Sequence, residues 1–328
     1  MPELFEITNW SQLPWLSTGG TRDKKYIQHD DGDFYYFKTS LLKPQKDYRF
    51  EFWSEIISYE IGKMTEFDIL KYDIAIDGNK IGCISKDMID SSSEELKEGG
   101  RYLKAFDNTF NPENMKKRDM YSFQLIESAL KDFQLDSYIN NFIDVLIFDA
   151  LIGNSDRHQE NWSFITYNDI VERKDLKYRA MTKFYKAIGK EKIITLYLSK
   201  IKKFAPIYDN GSSLGRELSE DRIAEYLKSN MSIEKYVLKG KAEIHWENKK
   251  ITHFELLAHL MKNHGVQIRR TIERINDKFD EELLRTIIDE IDESVPLGFQ
   301  EFKISTNRKT FIHKMIILRR NELVKLVQ

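Results

Sequence analysis

Short hydrophobic runs that are separated by polar turns recur in the first ninety positions of the chain, a pattern that is typical of β-strands. Residues 26–28 and 34–39 are rich in aromatic and β-branched side chains, and so are residues 72–76 and 80–84. A polar turn that contains glycine separates the two members of each pair. The pattern therefore predicts two β-hairpins.

A helical pattern lies between the two hairpins. Trp53, Ile57 and Ile61 recur at a spacing of four residues, which places them on one face of a helix over residues 50–64. Hairpin, helix and hairpin within fewer than a hundred residues predict a small α+β lobe over residues 1–90.

The rest of the chain, residues 91–328, is predicted to be mainly helical. It opens with a polar connector over residues 91–100. Apolar periodicity then indicates helices at residues 119–132, 138–152, 251–293 and 310–326. We therefore expect an α+β fold with a β-rich lobe and a helical lobe, and a cleft between two such lobes is a common place for a ligand.

Composition narrows the class of protein. The 328 residues contain 51 Lys and Arg against 53 Asp and Glu, a net charge of −2, which argues against a general nucleic-acid binder with a strongly basic surface. Hydrophobic residues make up 41% of the chain, too many for a disordered protein. The single cysteine, Cys83, excludes an internal disulfide framework and a cysteine-rich zinc site.

The sequence contains no signal for membrane insertion. No run of 18 uninterrupted apolar residues is present, so we expect no integral membrane association. The first residues include acidic side chains, where a signal peptide needs a basic start and an apolar run. The expected location is the cytoplasm, although secretion by a route without a cleavable signal would leave no mark in the sequence.

One segment departs from the even charge balance. Residues 172–203 contain eleven Lys and Arg against three acidic residues, within an insertion near residues 166–203. Such a run is typical of a solvated surface, and it is also suited to docking an acidic or tRNA-associated partner. Both interpretations stay open.

The most informative string is Asp-Arg-His-Gln-Glu-Asn at residues 156–161, which follows an apolar helix. Asp156 and Asn161, five positions apart on a tight loop, can converge on one reaction centre. Asp156 can accept a proton from an attacking hydroxyl group, and the amide oxygen of Asn161 can hold a magnesium ion, as phosphoryl transfer requires. Taken alone, Asp156 is equally suited to capping a helix, and His158 is an ordinary loop histidine.

A second metal ligand is expected downstream. Apolar residues lead into Asp209, and Gly211 allows the chain to turn sharply after it. A segment of this kind supplies the aspartate that binds magnesium at the nucleotide phosphates in kinases. In isolation the same residues also make a good turn.

The β-rich lobe should supply the phosphate-binding groups. Residues 17–24, Ser-Thr-Gly-Gly-Thr-Arg-Asp-Lys, form a glycine- and hydroxyl-rich loop whose backbone N–H groups can bind phosphate, although it is neither a Walker A loop nor Gly-x-Gly-x-x-Gly. Lys38, near the end of the next strand, can reach nucleotide phosphates. Glu55 on the following helix can orient Lys38 by an ion pair, and Glu51, one turn away, is the alternative partner.

Three strings together resemble the HipA-type kinases, bacterial serine/threonine kinases that are often found as toxins. The loop at residues 17–24 is similar to the family's Ser-x-x-Gly-x-Gln-x-Lys, with Arg22 where glutamine is usual. Residues 152–161 are close to the family's Ile-Gly-Asn-x-Asp-x-His-x-x-Asn, and residues 205–209 are similar to its Pro-x-Tyr-Asp metal segment. The resemblance runs from about residue 17 to the C-terminus and implies a two-lobed protein-kinase-like fold.

The resemblance implies a role for each candidate residue. ATP and magnesium would be the cofactors, Asp156 would be the catalytic base with His158 in the same motif, and Asn161 and Asp209 would be the metal ligands. Residues 86–88 would form the hinge against adenine. The implied ATP-binding residues are Ser17, Thr18, Gly19, Gly20, Thr21, Lys24, Lys38, Glu55, Lys86 and Met88.

The resemblance also implies regulation and partners. In this family the loop serine can be autophosphorylated, which ejects the loop and switches the kinase off, and here Ser17, Thr18 and Thr21 are the candidates. Family members that are toxins phosphorylate aminoacyl-tRNA synthetases or other translation factors, so a translation-related protein substrate and an antitoxin chain are the implied partners. Because the loop lies near residue 17, the chain resembles a short, core-only form without the N-terminal subdomain of the full-length toxins.

Two other functions remain open at the level of sequence. The string at residues 156–161 is also similar to phosphatidylinositol kinases, so a kinase of phosphoinositide or of another small-molecule alcohol is the alternative. A non-catalytic nucleotide-binding module is the second alternative. The joint presence of Lys38, Asp156, Asn161 and Asp209 speaks against this module.

Overall fold

A six-stranded β-sheet forms the N-terminal part of the molecule. The computed structural model describes residues 1–13, 24–43, 46–111, 119–171 and 196–328. The strands up to residue 86 are β1 (Leu4–Glu6), β2 (Ser11–Gln12), β3 (Lys24–Gln28), β4 (Phe34–Thr39), β5 (Leu42–Lys43), β6 (Lys46–Asp47), β7 (Asp73–Asp77) and β8 (Lys80–Lys86). The sheet has the order β1-β7-β8-β4-β3-β2, and β5 pairs separately with β6.

Both predicted hairpins are confirmed. β3 pairs with β4 and β7 pairs with β8, each antiparallel, and β4 joins the two hairpins by pairing with β8. The parallel pairing of β1 with β7 was not expected from the sequence. It extends the sheet by three residues that are too few to show a period of their own.

Helix α1 (Glu51–Met64) connects the sheet to the rest of the molecule, as the pattern over residues 50–64 predicts. It contacts β8 on one side and the C-terminal helices on the other, so most of its surface is buried. Trp53 donates its indole N–H to the backbone oxygen of Phe302 at 2.7 Å. The burial of both faces explains why the apolar residues of α1 are not confined to one stripe.

The C-terminal part is built from helices. They are α2 (Gly99–Phe106), α3 (Phe123–Asp132), α4 (Ile139–Ile152), α5 (Glu220–Leu227), α6 (Asn230–Lys239), α7 (His253–Lys278), α8 (Glu281–Glu290) and α9 (Thr306–Lys325). Helix α4 lies at the centre, buried along almost its whole length, and it packs against α7 and α9. The predicted helical region over residues 251–293 separates into α7 and α8, and α7 begins at a capping box formed by Thr252 and Glu255.

The predicted polar connector over residues 91–100 is partly wrong. It contains strand β9 (Glu94–Glu98), which pairs antiparallel with β10 (Ser163–Val171), and β10 pairs with β11 (Leu196–Phe204). The side chains of β9 carry no apolar alternation, so backbone pairing with β10 and an ion pair between Glu94 and Lys202 define this strand. The insertion thus begins and ends as an antiparallel hairpin.

The predicted α+β fold with a β-rich lobe and a helical lobe is confirmed. One hydrophobic core runs from α1 through α4 into the C-terminal helices, and a second, small core covers the other face of the sheet. No helix among the described residues is both long and apolar enough to cross a membrane. The basic segment falls largely on residues 172–195, which lie outside the described residues, while Lys200, Lys202 and Lys203 belong to β11.

Candidate active site

Lys38 and Glu55 form a buried ion pair between the sheet and α1. Lys38 lies near the end of β4 with 8% of its surface exposed, and its Nζ donates to Oε1 of Glu55 at 2.5 Å. Glu55 is fully buried. Glu51, the alternative partner, forms an ion pair with Arg216 at 2.5 Å. The structure therefore brings together the lysine and the glutamate that the sequence analysis paired.

The same lysine reaches the segment after β11. Nζ of Lys38 also contacts the carboxylate of Asp209, which lies 171 positions further along the chain. The second carboxylate oxygen of Glu55 accepts a hydrogen bond from the backbone N–H of Asn210 at 2.6 Å. Glu55 thus holds the ammonium group of Lys38 with one oxygen and the backbone beside Asp209 with the other.

The backbone around Asp209 is bent sharply. Asp209 has a φ of 56°, in the left-handed region. At Gly211 a Cβ atom would lie 3.1 Å from Oε1 of Glu55 and 3.2 Å from Cγ of Glu51. The glycine is needed here for the close approach of the chain to α1, which keeps the carboxylate of Asp209 near Lys38.

Asp156 and Asn161 lie in one loop and contact each other. The side-chain amide of Asn161 donates to the backbone oxygen of Asp156 at 2.8 Å, and this bond occupies the amide nitrogen and leaves the amide oxygen available to a cation. Ser212 donates its hydroxyl to Oδ2 of Asp156 at 3.3 Å. Asn161 is 5% exposed and Asp156 is half-buried. Ser212 follows Asp209 by three residues, so the two halves of the candidate site touch.

His158 shapes this loop from within. Its backbone N–H donates to the backbone oxygen of Asp156 at 2.9 Å, and its Nδ1 accepts from the backbone N–H of Glu160 at 3.3 Å. Within the described residues its ring makes no hydrogen bond to the carboxylate of Asp156. The geometry is therefore that of a residue that orders the turn between Asp156 and Asn161.

Arg157 is the residue of this site that the sequence analysis missed. It is 1% exposed, and its guanidinium group binds both oxygens of Asp149, at 2.7 Å from Nη2 and 3.0 Å from Nε. It also donates to the backbone oxygens of Asn161 and Tyr208 and to Oδ1 of Asn210. One buried side chain thus joins α4, the loop of Asp156 and the segment of Asp209.

The charge state of Arg157 follows from this pairing. Burial lowers the pKa of the guanidinium group, but the carboxylate of Asp149 outweighs that effect, and the net pKa is raised. Two signals were available in the sequence: Asp149 interrupts the apolar run of residues 145–152, and Arg157 lies between two motif residues. Their pairing over eight positions across a helix end is not visible in a periodic pattern.

Helix α4 ends where the loop begins. Gly153 has a φ of 72°, the left-handed conformation that commonly terminates helices. The backbone N–H groups of Gly153 and Asn154 both donate to the backbone oxygen of Asp149, at 2.8 and 3.0 Å, and the side chain of Asn154 donates to Oδ1 of Asp149. Asp149 therefore fixes the first residues of the loop that carries Asp156 by accepting these three hydrogen bonds.

The start of α2 holds the other end of the loop. The backbone N–H groups of Gly99 and Gly100 donate to the backbone oxygens of Trp162 and Gln159, at 2.8 and 2.9 Å. A Cβ atom on Gly99 would lie 2.1 Å from the indole ring of Trp162. The absence of a side chain at this position permits the contact.

The remaining candidates are less closely tied to this centre. The loop residues Ser17, Thr18, Gly19, Gly20 and Thr21 lie outside the described residues. Lys24 begins β3 opposite Lys38 in the strand register. Lys86 ends β8, and its ammonium group forms an ion pair with Asp33 at the surface. Met88 is half-buried in the turn that follows.

The donor set fits a magnesium ion that binds together with phosphates. The amide oxygen of Asn161 and the carboxylate of Asp209 are hard oxygen ligands of the kind that magnesium prefers. Among the described residues, no group of three or more His, Cys, Asp or Glu side chains forms a metal site by itself. A magnesium ion here would complete its shell with water and substrate phosphates, which is the usual arrangement for this ion.

Comparison with solved structures identifies the type of fold. No protein-family model matches the sequence, and no curated protein matches it. Among solved structures, the chain is similar to a Helicobacter pylori proinflammatory kinase, CtkA, with a TM-score of 0.73 and 18% identity over 99% of this chain and 96% of that one. It also aligns with HipA of Shewanella oneidensis, solved with HipB and operator DNA of a toxin–antitoxin system, with a TM-score of 0.49 and 12% identity over 96% of this chain and 65% of that one. The fold of this chain is that of a kinase.

Proposed function

We propose that the chain is an ATP- and magnesium-dependent protein serine/threonine kinase of the HipA type. The observation that carries the proposal is the position of Lys38 between the carboxylates of Glu55 and Asp209. An ion pair of a strand lysine with a helix glutamate, next to a metal-binding aspartate, is the arrangement that protein kinases use to hold ATP. The kinase fold, found at 18% identity, is consistent with it.

Each residue has a defined task in this proposal. Lys38, held by Glu55, binds the nucleotide phosphates, while Asn161 and Asp209 hold the magnesium ion. Magnesium, when bound, neutralises charge on the phosphate oxygens. Two contacts orient the proposed metal ligands. The side-chain amide of Asn161 donates to the backbone oxygen of Asp156, and Glu55 accepts from the backbone N–H of Asn210, next to Asp209.

Asp156 is the proposed base. Its carboxylate accepts the proton of the acceptor hydroxyl as the oxygen of that hydroxyl forms a bond to the γ-phosphorus. The bond from the γ-phosphorus to the bridging oxygen breaks at the same centre, and ADP leaves. The hydroxyl of Ser212 donates to Oδ2 of Asp156, which fixes the orientation of the carboxylate.

Transfer of label from γ-labelled ATP to protein tests the proposal. Asp156→Ala should lower the transfer rate by about 10² to 10⁴, the usual contribution of a general base. Asp132→Asn, which removes an exposed carboxylate at the end of α3, is the matched control and should keep the wild-type rate. Full activity in both Asp156→Ala and Asp209→Ala would refute the assignment. Transfer to phosphoinositides in place of protein would favour the lipid-kinase alternative.

The finer parts of the proposal rest on the resemblance to HipA-type kinases. They are a translation-related substrate, an antitoxin partner and autophosphorylation at Ser17, Thr18 or Thr21. Intact-mass analysis of an active preparation after incubation with ATP tests the last of these. An active enzyme without phosphate on residues 17–21 would exclude regulation by this loop.

A further inference from the structure

A cavity of about 470 Å³ lies in the helical part, and Ser155 of the loop that carries Asp156 is among its lining residues. Its walls come from α6, from the beginning of α7, from α9 and from residues 153–155. The volume lies in the range of small-molecule sites. No step of the proposed phosphoryl transfer uses any of the charged residues that line it.

Arg319 is the deepest charged group of this cavity. It is 2% exposed, and its guanidinium group is pressed against two glycines: a Cβ atom on Gly153 would lie 2.8 Å from its Cζ, and one on Gly240 would lie 2.6 Å from its Nη2. Its Nη1 donates to the backbone oxygen of Ala150 at 2.9 Å, which satisfies a carbonyl at the end of α4. Arg319 therefore helps to hold the end of α4, but this hydrogen bond uses only one of the five N–H donors of its guanidinium group.

Arg319 forms no salt bridge with any described carboxylate, and its Nε is buried without a hydrogen-bond partner in the described part of the chain. Burial lowers the pKa of the guanidinium group to about 10, although Tyr236 and Glu217 partly oppose this effect. A buried cation that forms no salt bridge is costly, and the carboxylate of Glu217 in the same lining only partly offsets this cost, so an anion that enters the cavity would stabilise Arg319.

Other donors face the same space. Ser232, Lys235, Tyr236 and Lys239 line the cavity from α6, at the spacing of one helix face. Lys235 and Lys239 are exposed and form no salt bridge with any described residue. His253 is 3% exposed, and its Nε2 is buried without a hydrogen-bond partner in the described part of the chain.

The charges of the lining select the class of anion. Arg319, Lys235 and Lys239 carry three positive charges against the single carboxylate of Glu217, a formal surplus of two. Burial lowers the pKa of His253 well below its ordinary value, so its ring adds no charge near neutral pH. A dianion balances this surplus, and a tetrahedral phosphate offers several oxygens to a guanidinium group, two ammonium groups and the hydroxyl of Ser232 at once, while the hydroxyl of Tyr236 donates to Oε1 of Glu217 at 2.8 Å.

We propose that this cavity is a second ligand site, which binds the phosphate group of a phosphomonoester through Arg319, Lys235 and Lys239. The phosphate belongs to a small metabolite or to a phosphorylated side chain, since both present the same dianion. Ser155, which lines the cavity, directly precedes Asp156. An occupant therefore contacts the loop that carries the proposed base.

Titration calorimetry without ATP tests the site independently of the proposed function. The probes are glycerol 3-phosphate, with glycerate as an anion that lacks the phosphate group, and a serine-phosphorylated peptide with its unphosphorylated counterpart. The variant Lys235→Gln/Lys239→Gln leaves Arg319 in place, because Arg319 also holds α4. The control variant Lys228→Gln/Lys262→Gln removes two exposed charges away from the cavity.

We expect saturable binding of at least one phosphorylated probe, weakened at least about tenfold in Lys235→Gln/Lys239→Gln and unchanged in the control variant. Tighter binding of the phosphopeptide identifies a protein segment as the source, and tighter binding of glycerol 3-phosphate identifies a metabolite. The proposal is overturned if neither phosphorylated probe binds saturably. It is also overturned if the two double variants bind the probes equally well. Binding of glycerate as tight as that of glycerol 3-phosphate overturns the assignment to phosphomonoesters.

Discussion

Lys38 is the residue of the candidate site whose ammonium group pairs with two carboxylates, those of Glu55 and Asp209. It is a buried cation between two carboxylates, and each of those carboxylates is tied to a different part of the chain. Charged side chains are rarely buried unless they are paired, so Lys38, Glu55 and Asp209 are matched to one another. A change at any one of them leaves the others with uncompensated charge.

Replacing Lys38 with methionine should therefore affect stability as well as activity. Lys38→Met leaves Glu55 and Asp209 facing each other without a cation, and removal of one partner of a buried ion pair costs about 3–5 kcal/mol in the free energy of unfolding. Denaturant unfolding monitors this loss. The matched control is Lys131→Met, which breaks an exposed ion pair with Glu127 and should cost less than about 1 kcal/mol. Equal stability of the two variants would show that Lys38 is not held by its partners.

Arg157 offers a second test at the scale of one residue. Arg157→Lys keeps the charge but cannot reproduce the two parallel bonds to Asp149 together with the bonds to the backbone of Asn161 and Tyr208. We expect a loss of about 1–3 kcal/mol in stability, the usual cost of unsatisfied buried groups, and a clear drop in phosphate transfer. Arg101→Lys, at an exposed ion pair with Glu95, is the control. If Arg157→Lys transferred phosphate at the wild-type rate, the link between the two segments would be dispensable.

At the scale of elements, the sequence predicted those parts of the fold in which side-chain pattern and local turn chemistry agree. The two hairpins, α1 and α4 belong to this class. Strand β9 does not, because four of its five residues are charged and it pairs through the backbone with β10, a strand 65 or more positions away. The site residues divide in the same way. Lys38, Glu55 and Asp209 could be proposed from the order of the motifs along the chain, whereas the ion pair between Arg157 and Asp149 leaves no such pattern.

The junction of β9 and α2 sets the position of the loop that ends at Asn161. Gly99→Ala would place a Cβ atom 2.1 Å from the ring of Trp162, and the loop or α2 would have to move. Overpacking of this kind typically costs about 1–3 kcal/mol, and we also expect weaker phosphate transfer because Asn161 directly precedes Trp162 in the chain. Thermal unfolding and the transfer assay measure the two effects.

A matched glycine is available as the control for Gly99→Ala. No atom lies within 4 Å of the Cβ position of Gly298, so Gly298→Ala should change stability by less than about 0.5 kcal/mol. Similar stability of the two variants would mean that the start of α2 adjusts freely, which would contradict a fixed position of the loop.

At the scale of the whole molecule, the candidate site is assembled from segments that lie far apart in the chain. Lys38 and Glu55 come from the β-rich part, Asp156 and Asn161 from the end of α4, and Asp209 from the segment after β11. The insertion between Asn161 and Asp209 begins with β10 and ends with β11, and these two strands pair with each other. The length of the insertion therefore does not separate the two proposed metal ligands. The net charge of −2 conceals the basic character of residues 172–203.

The central claim is that Lys38 and Asp209 bind nucleotide with magnesium while Asp156 serves the transfer step. Calorimetric titration of ATP, with and without magnesium, tests this claim most directly because it needs no knowledge of the substrate. We predict magnesium-dependent binding that Asp156→Ala preserves within about twofold and that Asp209→Ala weakens at least about tenfold, the effect of losing a charged ligand. ATP binding that depends neither on magnesium nor on Asp209 would contradict the account.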